Sequence, residues 1–334
     1  MTHIGIEHLK KILQEEYDNN DGFTYTQEFT KSDFVEYEIE EYLQLNEAAS
    51  LGGTIEAFFS LGWYSADRLI YEILNEKDDA RITEETKRAV TYLYLALYFG
   101  AKSCKCPSGG IMVSMHSIGL PLSINILCNE WEESQEIGTY LIDSLNANGC
   151  IIQRGDSSAF RSWFILDIFS KVFDIDIDKR IARYPHDTEY ALYQTISESW
   201  DTEDIDIVDK NIYFLCDMHL DLALSKITDD NEEERREKLE IPHIQLFPYE
   251  ILTWLKLREK QGLKNPTEFS HPLMNTPIAK MFLDIKEPLA KPTELPYAKE
   301  LLEKLQEKCH NIEIPEWLET MTHSNAIPDD FMNN

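Results

Sequence analysis

The stretch Ile241–Phe282, IPHIQLFPYEILTWLKLREKQGLKNPTEFSHPLMNTPIAKMF, carries the clearest structural signal in the chain. Pro248 suits the first turn of a helix, because its missing N–H needs no partner there, and Gly262 is placed for a C-terminal cap. Apolar residues recur at helical spacing between these two positions. The stretch therefore predicts an apolar helix, then a proline-punctuated loop and a second short helix.

Glu250 and Arg258 carry opposite charges inside the apolar arc of this predicted helix. An isolated charge is too costly to bury, so each must be paired inside the protein or face a partner. We expect an internal ion pair with neighbouring helices, which would make both residues structural. A role as contact or site residues is the alternative, and the pattern leaves it open.

Comparable apolar spacings recur along most of the chain and predict an all-α fold. About ten helices are expected from them, packed as antiparallel helical hairpins. Gly52 and Gly53 are expected to break the chain before Thr54 begins a helix, and Thr83 to begin the next one. The sequence Asp-Ile-Asp-Ile occurs at residues 174–177 and again at 204–207, which leaves a solenoid-like stacking of helix pairs open.

The predicted organisation is an N-terminal arm at residues 1–30, a single helical domain at 31–312 and a C-terminal tail at 313–334. No apolar run approaches the ~20 residues of a membrane span. The N-terminal sequence MTHIGIEHLKKILQEE lacks the basic and apolar segments of a signal peptide. The six cysteines also lack the spacing of a disulfide framework. These features together predict a protein of the reducing cytoplasm.

The charge of the chain restricts its partners. Lys and Arg total 31 against 61 Asp and Glu, which gives a net charge of −30. A protein that neutralises nucleic-acid phosphates needs the opposite sign, so nucleic-acid binding is excluded. Docking on anionic membranes is disfavoured for the same reason. The remaining interpretations are simple solubility or attraction to a basic protein.

The sequence contains no motif typical of a catalytic or phosphate-binding site. Cys104 and Cys106 form an isolated Cys-x-Cys pair, which is a weak zinc signal because a tetrahedral site needs four ligands. We therefore expect a protein that is not an enzyme and holds neither a metal nor a cofactor.

The best candidate for a chemical site is the helix predicted at residues 211–226, which carries Asp217, His219 and Asp221. The two aspartates share a helical face, whereas His219 points roughly 160° away from their mean direction. One helix thus cannot aim all three side chains at a single ion. We expect a core histidine and two structural aspartates. A metal-dependent helical hydrolase that uses Asp217, Asp221 and Glu250 is an alternative.

Three segments together resemble a known family. They are LCDMHLDLA at residues 215–223, LFPYEILTWLKLREKQGL at 246–263 and HPLM at 271–274. The combination is similar to the helical immunity proteins of bacterial polymorphic-toxin and type VI secretion systems, and the likeness extends over residues 155–285. The resemblance implies a cytoplasmic antidote that binds the catalytic domain of a toxin and performs no reaction itself. It also implies structural roles for Glu250 and Arg258.

The predicted function is therefore an immunity protein that occludes the active site of a cognate antibacterial toxin, with a basic nuclease among the candidates. The acidity agrees independently, because a strongly acidic inhibitor is steered towards a basic cleft. A peptide-binding scaffold of helical hairpins is the second alternative. An acidic segment at residues 33–41 is a candidate contact, and the other candidate partner-binding residues, ranked by charge alone, are Asp201, Glu203, Asp204, Asp206, Asp209, Glu232, Glu233 and Glu234.

Overall fold

A computed structural model describes residues 51–74, 79–103, 113–147, 151–152, 159–185, 190–227, 246–319 and 321. Within these ranges the protein has 11 helices and almost no strand, so the predicted all-α fold is confirmed. The helices are α1 (Leu51–Leu74), α2 (Asp79–Ser103), α3 (Gly119–Leu127), α4 (Trp131–Asn146), α5 (Phe160–Val172), α6 (Ala191–Glu198), α7 (Ile205–Ile227), α8 (Tyr249–Lys260), α9 (Pro277–Asp284), α10 (Ala298–Lys308) and α11 (Glu316–Glu319). Two-residue strands, β1 (Val113–Ser114) and β2 (Ile151–Ile152), pair in parallel.

Part of the predicted organisation lies outside the described residues. This applies to the N-terminal arm at 1–30, the acidic segment at 33–41, Cys104 and Cys106. It applies equally to the acidic segment that contains Glu232, Glu233 and Glu234. The division into arm, domain and tail therefore stays a prediction.

Helices α1 and α2 pack along one another, and they run antiparallel because only residues 75–78 separate them. Gly62 allows the close approach, since a Cβ at this position would lie 2.6 Å from Cδ2 of Leu93. Helix α1 begins at Leu51 and runs through Gly52 and Gly53, so the predicted break is wrong. Each glycine costs a helix only about 1 kcal/mol, which burial of the apolar residues of the helix offsets.

Helix α8 lies in the core, where it packs against α3 and α5. Every residue from Tyr249 to Arg258 is buried. The sequence predicted that one broad side of this helix would be buried. The structure instead buries the helix on all sides over this length. Helix α5 is likewise buried from Phe160 to Ser170.

The ends of α8 agree with the local signals in the sequence. Pro248 occupies the N-cap position, and Gly262 follows the helix with a φ of 75°. The N–H of Gly262 donates to the carbonyl of Glu259 at 2.9 Å, and that of Leu263 donates to the carbonyl of Arg258 at 3.0 Å. This pair of bonds is a Schellman cap, which requires the left-handed backbone that glycine adopts without strain.

Helices α2 and α7 begin earlier than predicted, at Asp79 rather than Thr83 and at Ile205 rather than residue 211. In α7 the start is set by Asp204, whose Oδ1 accepts from the N–H of Asp206 at 3.0 Å and of Ile207 at 3.3 Å. An aspartate in this position is a strong N-terminal cap. The second Asp-Ile-Asp-Ile sequence is thus the cap and first turn of a helix.

None of the helices in the described ranges combines the length and the apolar character that crossing a membrane requires. Cys128 and Cys216 are buried free thiols. Cys309 is disulfide-bonded, which differs from the expectation that the cysteine spacing gave.

Candidate functional site

Glu250 lies at the centre of a buried ionic cluster formed by three helices. Its Oε1 lies 2.8 Å from Nδ1 of His219 on α7 and 3.7 Å from Nε of Arg161 on α5. The side chains of Glu250 and His219 have 0% exposure, and that of Arg161 has 10%. Glu250 therefore has an ion pair with neighbouring helices, and His219 is a core histidine with a hydrogen-bonding partner.

The electrostatics of this cluster keep Glu250 ionised. Burial by itself raises the pKa of Glu250, but the attraction of His219 and Arg161 outweighs it and holds the pKa below its usual value. Burial opposes the charge of Arg161, yet Glu250, with Tyr249 and Tyr193, raises the pKa of that guanidinium. Burial also raises the pKa of Tyr249 to about 12, which keeps its hydroxyl protonated. The cluster is thus a charged pair held inside an apolar core.

Arg258 does not pair with Glu250, so an ion pair between these two residues is not what the structure shows. Its Nη1 donates to the carbonyl of Trp200 at 2.6 Å, and its Nη2 donates to that of Thr202 at 2.9 Å and of Lys264 at 2.7 Å. Its Nε donates to Oδ1 of Asn265 at 3.0 Å. Arg258 therefore joins the turn before α7 to the turn after α8.

Lys256 is a third buried charge on α8, which the sequence analysis missed. The residue is 1% exposed, and its Nζ donates to the carbonyl of Ile285 and lies 3.8 Å from Oε2 of Glu259. Burial lowers the pKa of Lys256, and the nearby carboxylate of Glu259 only partly compensates. One indication of this burial is present in the sequence, where Lys256 lies between Leu255 and Leu257. The structure shows that the helix has no exposed side over these residues.

Asp167 on α5 forms a second cluster that the sequence analysis missed. Lys171 and Lys179 lie 3.1 and 3.2 Å from its carboxylate, and the hydroxyl of Ser197 donates to it. Burial raises the pKa of Asp167, but Ser197 and the two lysines hold it below its usual value. The Nζ of Lys171 lies 2.8 Å from Oγ of Ser197, as in a serine nucleophile with a lysine base. Ser197 is 0% exposed, however, so this arrangement presents no nucleophile to a substrate.

Asp217 lies apart from the Glu250 cluster. Its Oδ1 is 3.4 Å from Nε2 of His271, and Nδ1 of His271 accepts from the N–H of Leu273 at 3.1 Å. Asp221 lies in α7, and its side chain is outside the described ones. Among the residues that the structure describes, no group of three or more His, Cys, Asp or Glu side chains could hold a metal ion. The ligand set of the hydrolase alternative is therefore not assembled from Asp217 and Glu250.

The acidic turn, defined as residues 201–209, connects to α7 and includes its first residues. Four of its five carboxylate residues are exposed, and Asp209 is partly buried. In the described part of the chain, none of the five lies within ion-pair distance of a lysine, arginine or histidine. Asp204 caps α7, and Oδ1 of Asp209 accepts from the N–H of Ser270 at 3.4 Å. The five residues are Asp201, Glu203, Asp204, Asp206 and Asp209.

The structure therefore separates the predicted site residues into two groups. Glu250, His219 and Arg258 are buried and joined to neighbouring elements, whereas most carboxylates of the acidic turn face solvent and form no salt bridge among the described residues. Asp201 alone of the five interacts electrostatically with a described cation, Arg258. Glu232, Glu233 and Glu234 lie outside the described residues.

Comparison of the chain with protein-family models, with curated proteins and with solved structures finds no match in any of the three. The resemblance to helical immunity proteins consequently stays a prediction.

Proposed function

We propose that this protein is an immunity protein: it binds a basic toxin domain, occludes its active site and performs no reaction itself. The observation that carries the proposal is the acidic turn, whose five carboxylate residues form no salt bridge in the described part of the chain, although Asp201 interacts electrostatically with Arg258. The overall net charge of −30 has the same sign.

Electrostatics explains why such a turn favours a basic partner. Neighbouring carboxylates without cations repel one another, and a surface that presents lysines and arginines relieves this repulsion on binding. The same field accelerates encounter with a cationic cleft by roughly 10-fold or more at low ionic strength, and salt weakens the effect. The resemblance in residues 215–223 and 246–263 gives a consistent partner class, the catalytic domain of an antibacterial toxin.

The test is co-expression with the protein encoded by the neighbouring gene. We expect the two proteins to co-purify and this chain to restore growth to cells that express the partner. Absence of both a complex and growth protection would contradict the proposal.

A charge-matched pair of variants tests the acidic turn itself. The double variant Glu203→Gln/Asp206→Asn removes two exposed carboxylates that make no side-chain bond in the described part of the chain. We expect its association rate with the partner to fall by about 3- to 10-fold at low salt, and the difference to shrink as salt rises. The control Asp143→Asn/Glu303→Gln removes the same charge from exposed positions on α4 and α10. Equal effects of the two variants would show that only the total charge matters.

A further inference from the structure

One exposed face of α7 combines apolar and acidic residues. Among the described residues, the exposed large hydrophobic side chains are Ile207 and Phe214, each 45% exposed, and Ile181, which is 43% exposed. The first two lie on α7, Ile207 within the acidic turn and Phe214 after it. Scattered single apolar residues on a surface are ordinary, whereas two on one helical face form a patch.

Helical geometry places Ile207 and Phe214 side by side. They are seven positions apart, which turns the helix by two turns less about 20° and separates the residues by about 10 Å along the axis. Met218, one turn further, falls on the same face and is partly buried. The core lies to one side of this face, since Val208, Ile212 and Leu215 project roughly 80–140° from the direction of Ile207 and are 0% exposed. The patch is therefore presented by a helix that the core holds in place.

Carboxylates flank this apolar stripe on one side. Asp206 and Asp217 project roughly 80–100° from the direction of Ile207, both to the same side. The side chain of Asp217 is 35% exposed, and Asp206 is exposed. Lys210 projects roughly 60° to this same side, with its Nζ 5.8 Å from the centre of the Phe214 ring. The exposed face of α7 thus has an apolar centre and a border of two carboxylates and one lysine, which continues into the acidic turn.

We infer that the exposed face of α7, formed by Ile207, Phe214 and Met218 with Asp206 and Asp217 at its border, is the surface that docks on the basic partner. The partner presents an apolar pocket for Phe214 and lysine or arginine side chains beside it. This inference rests on the proposed function and names the surface that performs it. Binding energy in protein interfaces concentrates in such desolvated aromatic anchors, while the charged border sets orientation and encounter rate.

Charge complementarity decides between a basic partner and a second copy of this chain. In a symmetric dimer with the two copies of α7 antiparallel, the row of Asp206 and Asp217 would lie against the same row of the other copy. Like charges placed together in this way oppose association. A basic protein instead matches the border and covers the apolar centre.

Ile181 provides a matched control. It is exposed to the same degree as Ile207, but it lies in the segment between α5 and α6, beside the exposed residues Arg180 and Arg183. Arg180 pairs with Asp178 at 3.3 Å, so the charges beside Ile181 partly neutralise one another. The substitution Ile181→Ser therefore removes an equally exposed isoleucine from a surface that the inference leaves unbound.

The experiment measures binding of the purified product of the neighbouring gene to the full chain and to the variants Ile207→Ser, Phe214→Ser and Ile181→Ser. We expect Phe214→Ser to raise the Kd by at least ~10-fold, mainly through faster dissociation, and Ile207→Ser to raise it less. We expect Ile181→Ser to stay within about 2-fold of the unmodified chain. Urea unfolding of each variant verifies that the fold is unchanged.

The other outcomes are distinguishable. If the unmodified chain binds and protects but Phe214→Ser does so equally well, the surface is wrong and the proposed function stands. If the unmodified chain neither binds nor protects, the proposed function fails and the inference fails with it. If sedimentation shows that the unmodified chain self-associates and that Phe214→Ser abolishes this, the occupant is a second copy and the inference is overturned.

Discussion

Helix α8 and the acidic turn carry ionised side chains in opposite surroundings. On α8, Glu250, Lys256 and Arg258 are at most 1% exposed, and each contacts groups of other elements. In the acidic turn most carboxylates face solvent, and none forms a salt bridge in the described part of the chain, although Asp201 interacts electrostatically with Arg258. The buried charges of α8 therefore hold neighbouring elements together, whereas the exposed carboxylates of the acidic turn are the ones that the proposed function uses.

The two regions are also physically connected. Arg258 donates to the carbonyls of Trp200 and Thr202, which stand at and beside the start of the acidic turn. The indole N–H of Trp254 donates to the same Trp200 carbonyl at 3.1 Å. The buried helix therefore fixes the position from which the acidic turn and α7 face solvent. Substitutions in α8 should lower stability first, whereas those in the turn should change binding first.

The largest expected effect is that of Arg258→Met. The variant removes the donors to three backbone carbonyls and to Oδ1 of Asn265, and hydrogen bonds from a charged donor are the strong ones. We expect the free energy of unfolding, measured in urea, to fall by about 3 kcal/mol or more. Arg258→Lys should recover little, because an ammonium cannot reach acceptors on both turns at once.

Arg180→Met is the control for this prediction, since that side chain is 92% exposed and pairs only with Asp178 among the described residues. We expect a change within about 0.5 kcal/mol. If Arg258→Met lowered the free energy of unfolding by less than about 1 kcal/mol, buried and exposed charges would not differ in their contribution to stability.

Glu250→Gln should have the next largest effect. The amide keeps the shape of the carboxylate but removes its charge, which leaves Arg161 buried without its anion and weakens the contact with His219. We expect a loss of about 2–3 kcal/mol at pH 7, measured by urea unfolding. A variant as stable as the unmodified chain would show that the cluster contributes nothing net.

The effect of Glu250→Gln on stability should change with pH in a defined direction. The pKa of Glu250 in the folded protein lies below its ordinary value of 4.5, so the carboxylate stabilises the fold fully above that pH. As pH falls through the folded pKa, this contribution is lost. The difference in unfolding free energy between the unmodified chain and Glu250→Gln should therefore shrink as the pH falls below 4.5. A difference that grows on acidification would contradict the assignment.

The local part of the fold could be predicted from the sequence. Pro248, Gly262 and the apolar spacing between them act over a few residues, so they predicted a helix with a cap that the structure contains. Local signals failed at Gly52 and Gly53, because burial of α1 outweighs the intrinsic preference of glycine.

The partners of the buried charges could not be predicted. Periodicity placed Glu250 on a buried side, but His219 and Arg161 come from other helices, and no spacing within one helix encodes that contact. Arg258 binds backbone carbonyls, which every residue possesses, so residue types carried no signal for it. The exposed apolar residues on α7 were hidden for a related reason: spacing shows that Ile207 and Phe214 share a face but not that solvent covers it.

The smallest expected effect distinguishes two residues of the acidic turn, Asp204 and Glu203. Asp204 caps α7 through the N–H groups of Asp206 and Ile207, whereas Glu203 makes no side-chain bond in the described part of the chain. We expect Asp204→Ala to lower the free energy of unfolding by about 1 kcal/mol and Glu203→Ala to leave it within about 0.5 kcal/mol. Asp204→Asn should retain most of the stability, because the amide oxygen caps nearly as well.

The effect of the same variants on partner binding separates the two roles of Asp204. If Asp204→Asn weakens partner binding as much as Glu203→Gln does, and Asp204→Ala adds only a loss of stability, the charge of Asp204 contributes to binding and its oxygen stabilises the fold. If Asp204→Asn leaves binding unchanged, Asp204 belongs with the structural charges of α8 in spite of its exposure, and the boundary between the two regions lies between residues 203 and 204.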